Sequence, residues 1–192
     1  MVAATFYDNI FTSNPKKWSK GGRDELAYRV LKEIVEPKSV LDFGCGNGHT
    51  LAYFKKMWPN AKYAGIDISE VALKLAQEKV PGGEFYTDFV GNRQWDLITL
   101  MGVAEHFENP TWTLHEIAKH LIPGGRMYLE VPNNLSYTQD KNEGWRADYG
   151  SKQWEWHWKR TTWENTIQEA ELKIVKSVRG PSPMWEFIWV LE

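Results

Sequence analysis

The residues best suited to bind a ligand are three glycines at alternate positions, Gly44, Gly46 and Gly48, which directly follow the short apolar run 40–43. Asp42 interrupts that run, and a helical pattern begins after Gly48. A strand that turns through glycines into a helix places bare backbone N–H groups and the positive end of the helix dipole beside a ligand. Side chains would block that approach, and such turns use positive φ angles. The stretch is therefore a candidate binding loop, in which Asp42 orders the turn or helps to hold a cationic ligand.

The spacing of the glycines separates several kinds of binding loop. Dinucleotide-binding loops have the pattern G-x-G-x-x-G, whereas this loop has G-x-G-x-G, with His49 at the third glycine position. No Lys followed by Ser or Thr ends the loop, so it is not a phosphate-binding P-loop. A tight turn that binds nothing remains open. An acid two residues before the first glycine resembles motif I of class I S-adenosylmethionine-dependent methyltransferases. The resemblance implies cofactor contacts from Asp42, Gly44, Cys45, Gly46 and Gly48.

Acidic residues end the next two predicted strands. Asp67 lies 19 positions after Gly48, where a carboxylate at a strand tip suits a bidentate, charge-assisted grip on ribose hydroxyls. The alternative is that Asp67 or Ser69 caps the following helix. The resemblance implies that Ile68 also contacts the cofactor, and that Asp88 and Phe89 hold its adenine, the first through the exocyclic amine and the second by packing.

The predicted fourth strand, residues 95–101, runs into Met101-Gly102 and then Glu105-His106. In the family that the chain resembles, the backbone at Met101 and Gly102 approaches the methionine part of the cofactor. His106 is a candidate general base or substrate-orienting residue, because an ordinary imidazole accepts a proton near neutral pH. The alternative is that His106 bonds a neighbouring loop and shapes the pocket wall.

Residues 133–158 interrupt the alternation of helices and strands with a polar, aromatic insert that holds four of the eleven tryptophans. Long inserts at the carboxyl edge of a parallel sheet commonly carry specificity. Tryptophan rings offer flat surface for aromatic, sugar or cationic substrates, although they could equally attach the insert to the core. His157 is a second candidate base or substrate contact. No metal site is predicted, because His115 and His120 are five residues apart and do not share a helical face well.

The order of elements predicts an α/β fold, a doubly wound, mostly parallel sheet of seven strands with an antiparallel last strand. The loop at 180–183 is too short for a crossover helix, so the last two strands must be antiparallel. Residues 1–192 are predicted to form one domain with an N-terminal arm at 1–22. In the family that the chain resembles, this arm often closes over the ligand; the alternative is a tail that its aromatic residues anchor to the core. The expected helices include 23–36, one capped by Asn109 with Pro110, and one with a capping box at Thr161 and Glu164. The expected strands include 62–68, 84–87, 126–131, 172–178 and 184–191.

Composition limits the possible functions. The chain has 192 residues and a net charge of -2, so no global basic field invites nucleic acid. The single cysteine excludes an intramolecular disulfide. No signal peptide, transmembrane run or lipidation motif is visible, and a cytoplasmic location is expected by default.

The resemblance implies methyl transfer from S-adenosylmethionine to a small-molecule acceptor with an O- or N-nucleophile, by in-line displacement. A base is needed only where the nucleophile is protonated. The alternatives are an NAD-dependent oxidoreductase, disfavoured by His49, and a non-catalytic partner protein that binds S-adenosylmethionine. No DNA-methylase motif occurs, no membrane partner is expected, RNA methylation is disfavoured, and the oligomeric state is undetermined.

Overall fold

The computed structural model describes residues 4–17, 22–89, 91–133, 142–147, 154–180 and 187–192. The helices are α1 (Ala4–Ser13), α2 (Arg23–Leu31), α3 (His49–Met57), α4 (Glu70–Lys79), the short 3-10 helix η1 (Ala104–His106), α5 (Pro110–Ala118) and α6 (Arg160–Glu169). The strands are β1 (Ser39–Phe43), β2 (Lys62–Ile66), β3 (Glu84–Tyr86), β4 (Trp95–Met101), β5 (Leu121–Val131), β6 (Gly144–Ala147), β7 (Trp154–His157), β8 (Ile174–Arg179) and β9 (Phe187–Leu191).

Seven of these strands form one sheet in the order β3-β2-β1-β4-β5-β9-β8. Neighbouring strands from β3 to β5 pair in parallel, whereas β9 runs antiparallel to both β5 and β8. The predicted fold class is therefore confirmed. The register places Phe43 beside Ile66 and Leu100, so the segments that follow these three residues emerge together at the carboxyl edge of the sheet.

The sheet is packed on both faces because side chains alternate along its strands. Val40 contributes to the core beneath α2, α3 and α4, whereas the adjacent Leu41 contributes to the core beneath α5 and α6. Phe54 on α3 and Trp163 on α6 are both fully buried, one in each core. The two cores hold the carboxyl edge rigidly, which is where the candidate site residues gather.

Several predicted boundaries need correction. Helix α2 ends at Leu31 and passes into a turn whose amides at 34 and 35 both donate to the Leu31 carbonyl. The second predicted strand, 62–68, ends at Ile66, and the fifth begins at Leu121, because Leu121 pairs with Trp95 before the main register starts. The last strand was expected to begin at 184, but residues 184–186 lie outside the described residues.

The expected capping box at Thr161 and Glu164 is wrong. Helix α6 begins one residue earlier, after Lys159, which makes no side-chain cap hydrogen bond. Glu143 takes this role instead, since its Oε1 accepts from the Lys159 amide (2.6 Å) and from Thr162 Oγ1 (2.5 Å). The side chain of Glu164 binds Arg160 Nε at 2.9 Å. By contrast, the predicted cap of α5 is confirmed, because the Asn109 side chain accepts from the Trp112 amide at 3.0 Å.

The connection between β3 and β4 contains no helix among its described residues, 87–89 and 91–94. The ring of Phe89 instead stacks on His120 (centroids 3.9 Å apart) and on Phe43 (5.4 Å). Arg93 then lies over the ring of Trp95 at 4.3 Å. A short connection thus crosses the face of the sheet that a helix covers elsewhere.

None of the helices that the structure describes is long and apolar enough to cross a membrane. The described strands outside the large sheet, β6 and β7, form an antiparallel hairpin within the predicted insert 133–158. The organisation into one domain, with an arm at 1–22 and an insert at 133–158, stays a prediction.

Candidate active site

The glycine loop has the backbone conformation that its sequence requires. Gly44, Gly46 and Gly48 have φ angles of 79°, 49° and 73°. A Cβ atom on Gly44 would overlap the side chain of Val103, and one on Gly48 would lie 2.9 Å from Ala76. The amides of Gly44 and Cys45 donate to the Ile66 carbonyl at 2.7 and 2.9 Å, which ties the loop to β2.

Asp67 joins this loop to the start of α4. Its Oδ2 accepts from the Gly46 amide at 2.8 Å, and its Oδ1 accepts from the Ser69 amide at 2.9 Å. Each carboxylate oxygen keeps a further acceptor position, so both remain able to accept a ligand hydroxyl. Burial raises the pKa of Asp67, opposed by these two hydrogen bonds. The N-cap of α4 is Ser69, not Asp67, because the Ser69 Oγ accepts from the Ala72 amide at 3.1 Å. Ile68, between them, is 45% exposed.

Helix α1 lies against the same loop. Asp8 Oδ1 accepts from Ser69 Oγ at 2.6 Å and lies 3.3 Å from the Val71 amide. The ring of Phe11 lies 3.2 Å from the position that a Cβ on Gly46 would take. These contacts place the N-terminal segment on the ligand-binding edge, while its predicted closing over a ligand stays a prediction.

Asp42 is the buried acid at the end of β1. Its side chain accepts from Thr99 Oγ1 at 2.6 Å on the neighbouring strand β4. Burial raises the pKa of Asp42 to about 7, and the charges of Asp24 and Asp67 add to this effect. A ligand cation nearby would favour the ionised form, and the expectation that Asp42 helps to hold positive charge stays a prediction.

Cys45 is buried within the loop, and burial raises the pKa of its thiol well above the usual range. A thiol in this state is a poor nucleophile, because the thiolate is the reactive form. The residue therefore packs rather than reacts.

The backbone at Met101-Gly102 lies between charged side chains that sequence reasoning missed. Gly102 has a φ of 71°, and a Cβ there would lie 3.3 Å from Arg23 Nη2 and 3.4 Å from Glu105 Oε1. Arg23 Nε donates to Glu130 Oε1 at 2.6 Å, and Glu130 is fully buried. One available signal was Glu130 itself, a charged residue near the end of strand β5 between Leu129 and Val131.

Glu105 and His106 form η1 directly after this backbone. Glu105 is 3% exposed, and its burial raises the pKa of the carboxyl to about 8. Its Oε2 has no hydrogen-bond partner among the described residues. His106 Nδ1 lies 3.3 Å from the Trp154 carbonyl oxygen, and its Nε2 lies 3.9 Å from Glu105 Oε1.

The hairpin brings His157 towards the same region. Strand β7 packs on η1, and Trp156 Nε1 donates to the Phe107 carbonyl at 2.9 Å. His157 is 2% exposed, and its Nε2 lies 3.4 Å from Glu155 Oε1. The two predicted histidines thus lie on packed segments, each near a buried glutamate, and their roles as base or substrate contact stay predictions.

Asp88 and Phe89, the residues predicted to hold the adenine, contact neither the glycine loop nor Asp67 in the contacts that the described residues show. Asp88 is exposed, and its Oδ1 accepts from the adjacent Phe89 amide at 2.7 Å. The Phe89 ring is engaged by His120 and Phe43, as described above. The structure therefore shows no shared contact between these two residues and Asp67 within its described part, and the adenine assignment stays a prediction.

The tryptophans of the hairpin form a continuous row of rings. The centroid distances are 6.4 Å from Trp154 to Trp145, 5.1 Å from Trp145 to Trp156, and 4.5 Å from Trp156 to Trp158. The row ends at Trp163, 4.8 Å from Trp158 and fully buried in the core. The inner rings thus attach the hairpin to the core, whereas Trp154 is 52% exposed.

A surface hollow of about 350 Å³ lies at the opposite, amino edge of the sheet. It is lined in part by Gln94, Leu121 and Pro123. None of the predicted site residues lines it, so this hollow is separate from the candidate site.

Comparison with known proteins identifies the family. Residues 18–177 match the family profile described as a methyltransferase domain. The chain therefore belongs to this family, and the resemblance to class I S-adenosylmethionine-dependent methyltransferases is confirmed. The comparisons support neither the oxidoreductase nor the non-catalytic alternative.

Two curated relatives show the chemistry found in similar proteins. Trans-aconitate 2-methyltransferase of Azoarcus sp. (strain BH72) is 29% identical over 136 residues, covering 68% of this chain and 52% of the relative. An N,N-dimethyltransferase for dTDP-4-amino-2,3,4,6-tetradeoxy-D-glucose from Saccharopolyspora spinosa is 27% identical over 135 residues, covering 66% and 53%. The chain spans about half the length of the curated relatives it matches.

A solved structure supports the fold. The 1,6-didemethyltoxoflavin-N1-methyltransferase of Burkholderia thailandensis, solved with S-adenosylhomocysteine, superposes with a TM-score of 0.77 at 18% identity. The match covers 98% of this chain and 86% of that chain.

Proposed function

We propose that this chain transfers a methyl group from S-adenosylmethionine to a small-molecule acceptor by in-line displacement. The observation that carries the proposal is the junction of the glycine loop with Asp67. There the carboxylate is held by the Gly46 and Ser69 amides and keeps acceptor positions for a ribose. The arrangement lies at the carboxyl edge of the sheet, where open α/β sheets bind ligands.

Each part of the site has a role in this proposal. The backbone of the glycine loop and Asp67 would hold the nucleoside, with Asp88 and Phe89 on the adenine. Met101 and Gly102 would border the methionine part, and Asp42 would favour its positive charge. When bound, S-adenosylmethionine supplies an activated methyl group on a sulfonium. The protein then has to position the acceptor and exclude water.

The acceptor is proposed to be a small organic acid, an amine or a hydroxyl compound. Support comes from the relatives, which are named for a tricarboxylic acid and for an amino sugar. An amine or carboxylate reacts without a base, whereas a hydroxyl must lose its proton. Glu105 and His106, beside Gly102, are then the groups placed to accept it.

The remaining expectations stay predictions from the sequence. We expect a cytoplasmic location and no DNA partner, and an RNA substrate is disfavoured. The sequence makes no prediction of the oligomeric state. His49, at the third glycine position of a dinucleotide loop, has its Nε2 3.1 Å from Asp24 Oδ2. His49 thus links α3 to α2. Because a dinucleotide-binding loop has a glycine at this position, the contact gives no support to NAD binding.

Calorimetric titration of the purified chain with S-adenosylmethionine, S-adenosylhomocysteine and NAD tests the proposal. We expect binding of both sulfur nucleosides without binding of NAD. Product formation by mass spectrometry would then be screened with small acids, amines and phenols as acceptors. Binding of NAD alone would overturn the proposal, and binding of none of the three would do so as well.

A further inference from the structure

Three side chains where β7 packs on η1 are close enough together to hold one metal ion. Glu105 and His106 on η1 and Glu155 on β7 each offer one ligand atom, and these atoms all lie within 4.8 Å of one another. Both glutamates are buried, and His106 is half-buried. The segments that carry them are held in contact by the bond from Trp156 Nε1 to the Phe107 carbonyl, so the set belongs to the packed structure.

Of the two buried carboxylates, Glu155 lies with its Oε1 3.4 Å from His157 Nε2, whereas the described residues leave Glu105 with an open acceptor atom. Burying an ionised carboxylate is unfavourable unless it is paired or coordinates a metal. Arg23, whose charge acts on Glu105, is already hydrogen-bonded to Glu130 through Nε. Glu105 is 3% exposed, yet within the described part of the chain its Oε2 has no hydrogen-bond partner. A buried acceptor atom without a partner is rare in folded proteins, and a bound cation would supply the partner of Glu105 Oε2.

The surroundings of His106 fit the same interpretation. Its Nδ1 lies 3.3 Å from the Trp154 carbonyl oxygen. The tautomer that donates from Nδ1 to this carbonyl leaves the lone pair of Nε2 available, and Nε2 is the atom on the side of Glu105, at 3.9 Å. A carbonyl partner on the second ring nitrogen is the usual way in which a ligating histidine is oriented.

We propose that Glu105, His106 and Glu155 bind one divalent transition-metal ion, with Zn²⁺ or Mn²⁺ as the fitting species. One imidazole and two carboxylates suit these ions, whereas Mg²⁺ and Ca²⁺ prefer oxygen ligands alone. Three protein ligands leave a coordination position for a substrate atom. This further inference rests on the proposed function: a bound ion would hold an acceptor that carries a carboxylate or hydroxyl oxygen, and Glu105 and His106 would then be ligands of the ion and not the base.

The test is a calorimetric titration of the full chain, first treated with chelator, with Zn²⁺, Mn²⁺ and Mg²⁺ in the absence of any nucleoside. We expect one Zn²⁺ or Mn²⁺ per chain and weaker binding of Mg²⁺. Glu105→Gln and Glu155→Gln should each weaken Zn²⁺ binding tenfold or more, because each removes one charged ligand. Glu171→Gln is the matched control, since Glu171 lies 3.6 Å from His115 in an exposed histidine–carboxylate pair and should leave the affinity unchanged.

A second measurement avoids variants that fail to fold. Mn²⁺ should broaden the imidazole proton resonances of His106 in the unmodified chain more strongly than those of His115 and His49. Lack of stoichiometric binding, or equal broadening of the three histidines, would overturn the proposal.

The same chelated protein is also titrated with S-adenosylmethionine. Nucleoside binding without metal binding refutes the metal site and leaves the proposed function standing. Metal binding without nucleoside binding confirms the ion site, refutes the proposed function and removes the acceptor role of the ion.

Discussion

At the scale of single residues, the carboxylate of Asp67 joins two parts of the site, since it accepts from Gly46 in the glycine loop and from Ser69 at the start of α4. Asp67→Ala should weaken binding of S-adenosylmethionine at least tenfold, because hydrogen bonds to a charged group contribute about 1.5–3 kcal/mol each. Calorimetry measures the affinity, and circular dichroism checks that the variant is folded.

Glu70→Ala is the matched control for this variant. Glu70 is an exposed acid three residues later, at the first position of α4, and its removal should leave the affinity unchanged. An Asp67→Ala protein that is folded and binds S-adenosylmethionine normally would refute the ribose assignment.

Residue types alone identified the loop and the acids of the site, but they left out the charges around Gly102. Gly44, Asp42 and Asp67 stand in one local pattern whose spacing is visible in the sequence. Arg23 and Glu130 are 107 positions apart and meet only because α2 packs beside the end of β5. No local spacing could have paired them.

At the scale of elements, the turn between β1 and α3 depends on the absence of a side chain at Gly44. Gly44→Ala should destabilise the fold by roughly 2–5 kcal/mol, because an alanine at positive φ is strained and its Cβ overlaps Val103. Urea denaturation measures the change in the free energy of unfolding.

Adding Val103→Ala should restore part of that loss, since it removes the Cγ atoms that the new Cβ meets. The double-mutant cycle then separates the overlap from the backbone strain. A double variant no more stable than the sum of its single changes would show that Val103 is not the obstacle.

The N-terminus of α6 depends on an acid from the hairpin. Glu143→Ala should lower the free energy of unfolding by about 1 kcal/mol, because it removes the acceptor for the Lys159 amide and for Thr162 Oγ1. Denaturation in urea at constant pH checks the prediction.

Thr161→Ala tests the rival capping box in the same assay. Thr161 is exposed and is the second residue of α6, not its N-cap, so this change should have little effect. A larger loss from Thr161→Ala than from Glu143→Ala would reinstate the capping box. The sequence pattern failed here because the stronger acceptor comes from a segment distant along the chain.

At the scale of the whole molecule, the buried acid Asp42 makes stability depend on pH. Its pKa rises from 3.8 to about 7 on folding, so the folded state binds more protons than the unfolded state between these values. The contribution of Asp42 to stability is therefore fully present below pH 4 and is lost as the pH rises to 7. The difference of about 3 units between the pKa values of the folded and unfolded states corresponds to about 4 kcal/mol in the free energy of unfolding.

Asp42→Asn should remove this dependence, because the amide does not titrate. The difference in unfolding free energy between the unmodified chain and the variant should change steadily from pH 5 to pH 7 and level off above it. Urea denaturation across that range measures the difference. Parallel curves for the two proteins would contradict the raised pKa of Asp42.

The order of elements along the chain determined the fold class, because the alternation of apolar strands with amphipathic helices admits few topologies. The short interval between the last two predicted strands likewise predicted the antiparallel direction of β9. Boundaries were less certain where pairing partners decide them, as with Leu121, which joins β5 only through Trp95. The stacking of Phe89 on His120 was likewise not predictable from local pattern, because the two residues are 31 positions apart.

The sequence by itself determined the glycine loop, the acid at the tip of β2 and the parallel sheet, because each depends on local spacing and on the period of apolar residues. Only the tertiary structure decided that Glu105, His106 and Glu155 converge, and that the hairpin tryptophans run into the core at Trp163. The physical reason for the first is that η1 and β7 are about 50 residues apart along the chain. Their proximity results from the packing of β7 on η1, and the alternating tryptophans of 154–158 indicate a strand without indicating which segment it contacts.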